Sequence, residues 1–132
     1  MLKFVLGAGA FFIVSFLASG ALANLVLTPV FKDRFGPLMR SAETAAAGFP
    51  AMIAGFVILS LAAAWLYPRV AVTDGWWMSG LLYGLFLWVL AIGHYAIVSG
   101  WSSLPPGPTI LSGVISGTPF ILAAIALAFV YR

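Results

Sequence analysis

The chain has 132 residues, of which 64% are hydrophobic and 7% charged; its formal net charge is +3 and it has no cysteine. Soluble domains are about a quarter charged, so this composition excludes an ordinary water-soluble fold, which would lack the polar side chains to cover its surface. The missing cysteines exclude disulfides, iron–sulfur clusters and thiolate zinc sites. Six basic and three acidic residues, widely scattered, form no nucleic-acid-binding stripe despite a pI near 9.7.

The charges instead mark helix ends. Charge-free runs cover 4–31, 44–68 and 75–131, and crossing a ~30 Å hydrocarbon core takes about 20 apolar residues as a helix. The expectation is all-α: an integral membrane protein forming one domain over 1–132, an antiparallel bundle of four transmembrane helices near 4–27, 49–67, 76–99 and 109–130.

In the first segment, Lys3, an apolar run and Ala21-Leu22-Ala23 before Asn24 also have the layout of a signal peptide with its cleavage site. The apolar character continues through Leu25-Val26-Leu27, where a secreted domain turns polar, and this favours a membrane helix. Gly9, Phe16, Gly20 and Asn24 share one helical face, expected to be its packed side. Residues 28–48 are the most polar part of the chain. Phe31, Phe35, Leu38 and Met39 recur at i, i+4, i+7 and i+8 opposite Lys32, Asp33, Arg34 and Arg40, the pattern of a segment lying in the headgroup layer. A solvated loop is the alternative. Ser41 is a candidate cap for the next helix, with Glu43 in its first turn.

The second crossing is predicted over 49–67, with Pro50 near its start and Pro68 ending it. A start nearer Ala42 would put Pro50 inside the helix and kink it. Ala51, Gly55 and Ala62 share a face and suggest a small-residue seam, while Trp65 and Tyr67 belong at a membrane interface. Gly75 to Trp101 carries no charge, has tryptophan near both ends and contains the chain's one histidine. It is expected to be the helix around which the others pack. The fourth crossing follows Ser102 to Pro108, and Pro119 inside it is expected to kink it and to leave the Ile115 carbonyl without its helical donor.

GxxxG occurs as Gly80–Gly84 and as Gly113–Gly117, the second continuing on its face through Ala124 and Ala128. Small residues four apart let backbones approach closely in lipid, so the third and fourth helices are expected to pack through these positions; a dimer face is the alternative use. His94 is the one candidate for chemistry. Ionisable residues inside membranes are functional candidates, and an imidazole can ligate a haem or chlorophyll-type metal or relay a proton. The plainer reading is a neutral ring bonded to a neighbouring helix, facing protein and not lipid. One chain with one histidine cannot supply bis-histidine haem ligation.

No Asp, Glu, Lys or Arg lies within a predicted crossing, so the embedded glutamate on which small multidrug exporters rely is missing. There is no HExxH, no phosphate loop, and no serine–histidine–acid set at one membrane depth. The hydroxyls of Ser15, Ser19, Ser60, Ser79, Ser112, Ser116 and Thr118 are expected to satisfy helix backbones. No catalytic residue, metal site or resident cofactor is expected.

At AAWLYPR (63–69) followed by GLLYGLFLW (80–88) the chain resembles small bacterial four-helix membrane proteins grouped in families of unknown function. The likeness covers roughly residues 20–100. It implies the four-helix architecture and a bacterial inner-membrane setting, and brings no activity or site residues with it.

The first functional reading is a non-enzymatic membrane protein that acts through helix packing, with the bilayer and either a second copy or a larger membrane complex as partners. The second is a small transporter or channel with Ser116, Thr118 and the Pro119 kink along a polar path. The third is a haem- or pigment-binding subunit using His94, which an absorption spectrum separates from the others. Four crossings leave Lys3, Arg69 and Arg132 on one side and Lys32, Arg34 and Arg40 on the other, so the positive-inside rule does not set the orientation. Lys3 ahead of the first segment favours cytoplasmic termini; a periplasmic reporter signal at Arg132 would overturn this.

Overall fold

Each helix starts or stops where the sequence changes the backbone's options. The computed structural model describes residues 1–29, 42–71 and 75–132. Helix α1 runs over Leu2–Leu22 and continues as a π-helical turn over Ala23–Leu27; α2 spans Ala42–Val70, α3 Trp76–Trp101 and α4 Pro106–Tyr131. Among the described residues there is no strand. All four helices are long and apolar enough to cross a membrane, and together they make an all-α four-helix bundle. Gly75 and Pro105, both extended, precede α3 and α4, and Pro106 opens α4 where a missing N–H costs no helical bond.

Three local features differ from the sequence expectation. The π turn is the first: Thr28 directs both its N–H and its hydroxyl to the Ala23 carbonyl, five residues back, while the Asn24 amide donates to Gly20 O at 2.9 Å. The widened turn sits just before Pro29, which has no N–H to give Leu25. Second, α2 does not begin at Phe49; it begins at Ala42 and runs through Pro50, and Pro68 lies within its last turn and does not end it. A proline removes one bond and crowds one carbonyl, and neighbouring groups in a bundle can absorb both. Residues 42–48 are therefore helical, and the interfacial segment and Ser41 cap expected ahead of them lie outside the described residues. Third, α4 begins at Pro106, three positions before Thr109; Pro119 lies inside it, as the sequence predicts.

The central helix is α4, not α3. In its most apolar window 39% is buried, against 11–17% for the other three, and it packs along both α3 and α1. The reason is side-chain size: Gly113, Gly117, Ala123, Ala124 and Ala128 are all buried on α4, and small residues admit a neighbour on more than one side. As α3 is followed from Gly80 to Tyr95, its partners on α4 run back from Ala128 to Gly113. Along α1, Lys3, Gly7 and Phe11 meet Tyr131, Leu127 and Phe120 in the same reversed order.

Burial is unequal along the bundle. The core comprises Ala8 and Phe11, Ala63, Ala64 and Tyr67, Tyr83 and Leu87, and Ala123, Ala124, Leu127 and Ala128. These belong to the first halves of α1 and α3 and the second halves of α2 and α4, so one end of the bundle is closed. Over 46–59 no residue of α2 is buried, and α1 has none beyond Ser15. At the other end, among the described residues, α3 and α4 stay tightly paired, while α1 and α2 meet through Phe16, Phe49 and Phe56.

Candidate functional site

The α3–α4 seam is built from glycines that meet large or backbone groups, not from glycines facing each other. A Cβ on Gly84 would lie 2.6 Å from Ile121 Cα, and one on Gly80 2.8 Å from Ile125 Cα. In the open half the roles reverse: Gly113 lies under Tyr95 and Gly117 under Trp88 and Ala91. Trp88 Nε1 donates to the Val114 carbonyl at 2.8 Å, an interhelical bond next to the carbonyl that Pro119 deprives of its donor.

The closed end is fastened by tyrosines. Pro68 has no N–H for the Ala64 carbonyl, and the Tyr131 hydroxyl donates to that oxygen at 3.0 Å. Tyr83 donates to the Ala63 carbonyl at 3.0 Å, and the Tyr67 ring lies edge-on to both Tyr83 and Tyr131 at 5.4 Å. Tyr67 and Ser79 share a side-chain hydrogen bond. Tyr131→Phe is expected to cost about 0.6 kcal/mol, the average measured for such bonds in membranes, and at most about 1.7. In the Pro68→Ala background the loss should shrink, because the substituted alanine then supplies the missing N–H. A double-mutant cycle on thermal unfolding in detergent checks this; equal losses in both backgrounds would sink the explanation.

Where α1 and α2 lose their buried contacts, a cleft opens. Phe16, Ser19 and Gly20 of α1, Met52 and Phe56 of α2, Tyr95 of α3, and Ser116 and Phe120 of α4 line it. Phe16 stands edge-on to Phe56 at 5.5 Å. Among the described residues the walls are aromatic, the polar groups are hydroxyls, and no charged side chain lines the cleft. Such a surface suits an apolar or weakly polar occupant.

His94 is exposed in the single chain, contrary to the expectation that it faces protein. It does share a face with Tyr83 and Leu87, both buried. That face is covered only in part: the last turns of α2 reach Ser79 and Tyr83, whereas the first half of α2 leans on Phe16 of α1. The His94 ring is 6.2 Å from that of Tyr95, which lines the cleft. Among the described residues no three His, Cys, Asp or Glu side chains gather to hold a metal, and His94 is the one imidazole the chain could offer as an axial ligand.

The other sequence candidates divide. Gly80, Gly84, Gly113, Gly117 and Pro119 are buried; Ser116 lines the cleft; Thr118 is exposed and donates to the Val114 carbonyl. Ser15 and Ser60 likewise donate to carbonyls of their own helices. Of the face expected to be packed in α1, Gly9, Gly20 and Asn24 are exposed while Phe16 is half-buried against Phe49 and Phe56; in α2, Ala51, Gly55 and Ala62 are all exposed. The buried positions there are Gly7, Ala8, Phe11 and Ser15, and Ser60, Ala63, Ala64 and Tyr67. Sequence reasoning missed the tyrosine fastening, whose signal is Pro68 itself: a proline in a helix within lipid calls for a donor to the carbonyl four residues back. No family profile, curated protein or solved structure matches this chain.

Proposed function

We propose that this chain is a non-enzymatic integral membrane protein of four antiparallel crossings, set in a bacterial inner membrane with cytoplasmic termini, that works by packing against a second copy of itself. The observation that carries this reading is the outer face of α3. Phe86, Leu90, Gly93, His94, Ile97, Gly100 and Trp101 are exposed together within about a third of the helix circumference, at 100° per residue. Among the described residues nothing lies within 4 Å of the Cβ positions of Gly93 and Gly100. Glycine costs a helix about 1 kcal/mol relative to alanine, a cost that close helix approach offsets and contact with lipid does not. An imidazole roughly 10 Å from the end of its helix lies within hydrocarbon, where a partner helix offers the acceptor that lipid lacks. Two-fold symmetric dimers are the commonest assemblies and would bring the two His94 faces together.

The chain has no cysteine, so an introduced one reports cleanly. Ile97→Cys is expected to form a disulfide-linked dimer on mild oxidation in native membranes, since that bond requires Cα atoms within about 7 Å. Gly55→Cys, on the exposed face of α2, should not. Cross-linking of Ile97→Cys to a different protein would favour a larger complex, and no cross-link would remove the packing reading. A second reading, a small transporter, draws on Ser116 lining the lateral cleft; a His94- and glycine-face variant that keeps its function while a Ser116→Val variant loses it would favour that one.

A further inference from the structure

We infer that the closed end of the bundle holds the phosphate of an anionic phospholipid, in the recess that Tyr67, Ser79, Tyr131 and Arg132 share. The inference rests on the membrane reading above. The recess is formed where α2 ends, α3 begins and α4 ends, with Trp76 at its side. Its polar groups are hydroxyls and a guanidinium, and no carboxylate side chain among the described residues lines it.

Three cations, Lys3, Arg69 and Arg132, lie at this end of the bundle. Lys3 Nζ donates to the Tyr131 and Arg132 carbonyls at 3.3 and 3.0 Å, which also sets a positive charge at the C-terminal end of α4. Arg69 is within electrostatic reach of the Tyr131 hydroxyl, and Arg132 is its neighbour in the chain. Both guanidiniums lie on aromatic rings, Arg69 at 4.0 Å from the Trp65 centroid and Arg132 at 3.7 Å from that of Phe129. Stacking occupies the face of a guanidinium and leaves edge N–H groups for a phosphate, the geometry in which arginine binds it bidentately. One Arg69 nitrogen also donates to the Trp65 carbonyl, which steadies that side chain.

The surroundings favour lipid over a free anion. Trp65 and Phe129 are 55% and 45% exposed, and Trp77, at the same end of the bundle, is 52% exposed. An aromatic girdle of this kind marks the headgroup level of a bilayer, so a phosphate seated here leaves its acyl chains against apolar helix surfaces. Positive charge meets negative headgroup at the depth where the phosphates lie.

The test uses the full chain purified in mild detergent, with native mass spectrometry following retention of phosphatidylglycerol against phosphatidylcholine of the same acyl chains. The expected result is about tenfold better retention of phosphatidylglycerol, the effect of ~1.4 kcal/mol, lost largely in Arg132→Gln and partly in Arg69→Gln. General attraction amounts to about fivefold for a cation near the membrane surface, the effect of ~1 kcal/mol. Arg40→Gln, on the opposite side by sequence, should therefore fall short of Arg132→Gln. Arg132→Lys keeps the charge without the fork and should retain an intermediate amount, which keeps the test open if the glutamine variant unfolds. Equal retention of the two lipids, equal losses in Arg40→Gln and Arg132→Gln, or displacement of the lipid by inorganic phosphate would each overturn the site. Alkaline carbonate extraction reports on the membrane reading separately: a chain released as soluble overturns that reading, and a retained chain without lipid preference overturns only the site.

Discussion

Replacing Gly84 with leucine is expected to lower the thermal midpoint in detergent more than any other glycine substitution in the bundle. A Cβ there would sit 2.6 Å from Ile121 Cα and 3.1 Å from the Ile121 carbonyl oxygen. Those are backbone atoms, so no rotamer change relieves the contact and the two helices must separate. Overpacking a well-filled core costs roughly 1–3 kcal/mol, occasionally more, and a backbone obstacle belongs at the upper end. Gly93→Leu, where no described residue lies within 4 Å, is the comparison. In monomeric detergent-solubilised protein it should leave the midpoint unchanged or raise it slightly, because leucine is the better helix former. If Gly84→Leu and Gly93→Leu melt together, the close α3–α4 approach is wrong.

Phe11→Ala is expected to release α1 from α4. Phe11 is fully buried, stacked on Phe120 with ring centroids 6.3 Å apart, and shares the core with Leu127. Removing a buried phenylalanine from a soluble core costs about 3–5 kcal/mol, part of which is transfer from water. Lipid is as apolar as the core, so the transfer part largely drops out and the lost packing remains. The expected cost is therefore roughly 2–3 kcal/mol, read as a lower midpoint and faster proteolysis within α1. Ile13→Ala, at a position 56% exposed, should stay within about 0.5 kcal/mol. Equal losses at positions 11 and 13 would mean that α1 does not dock by this face.

How far each feature could be read from the residues depends on what the residues oppose. Four helices were legible because charge is confined to their ends and each apolar run is long enough to span a bilayer. Boundaries at proline were less so: Pro50 and Pro68 read as limits but lie inside α2. The loss of one backbone bond is a local cost, and the Tyr131 hydroxyl, 67 residues away in the chain from Ala64, meets it at Pro68. The faces of α1 and α2 were not legible. Those helices are apolar all round, and a helix without a polar side gives periodicity nothing to report.

Composition and charge placement by themselves determined the class of fold, the number of helices and the lack of any charged group along their apolar lengths, because bilayer thickness and backbone hydrogen bonding leave few alternatives to a helix of that length. The tertiary structure alone decided which helix is central, that one end of the bundle is closed while a cleft opens at the other, and that His94 is uncovered. These depend on where small residues of one helix meet large ones of another: Gly113 under Tyr95, Gly84 against Ile121. In lipid, dispersion at such close contacts drives association. It falls away within an ångström of misfit, so the pattern along a single helix does not disclose its partner.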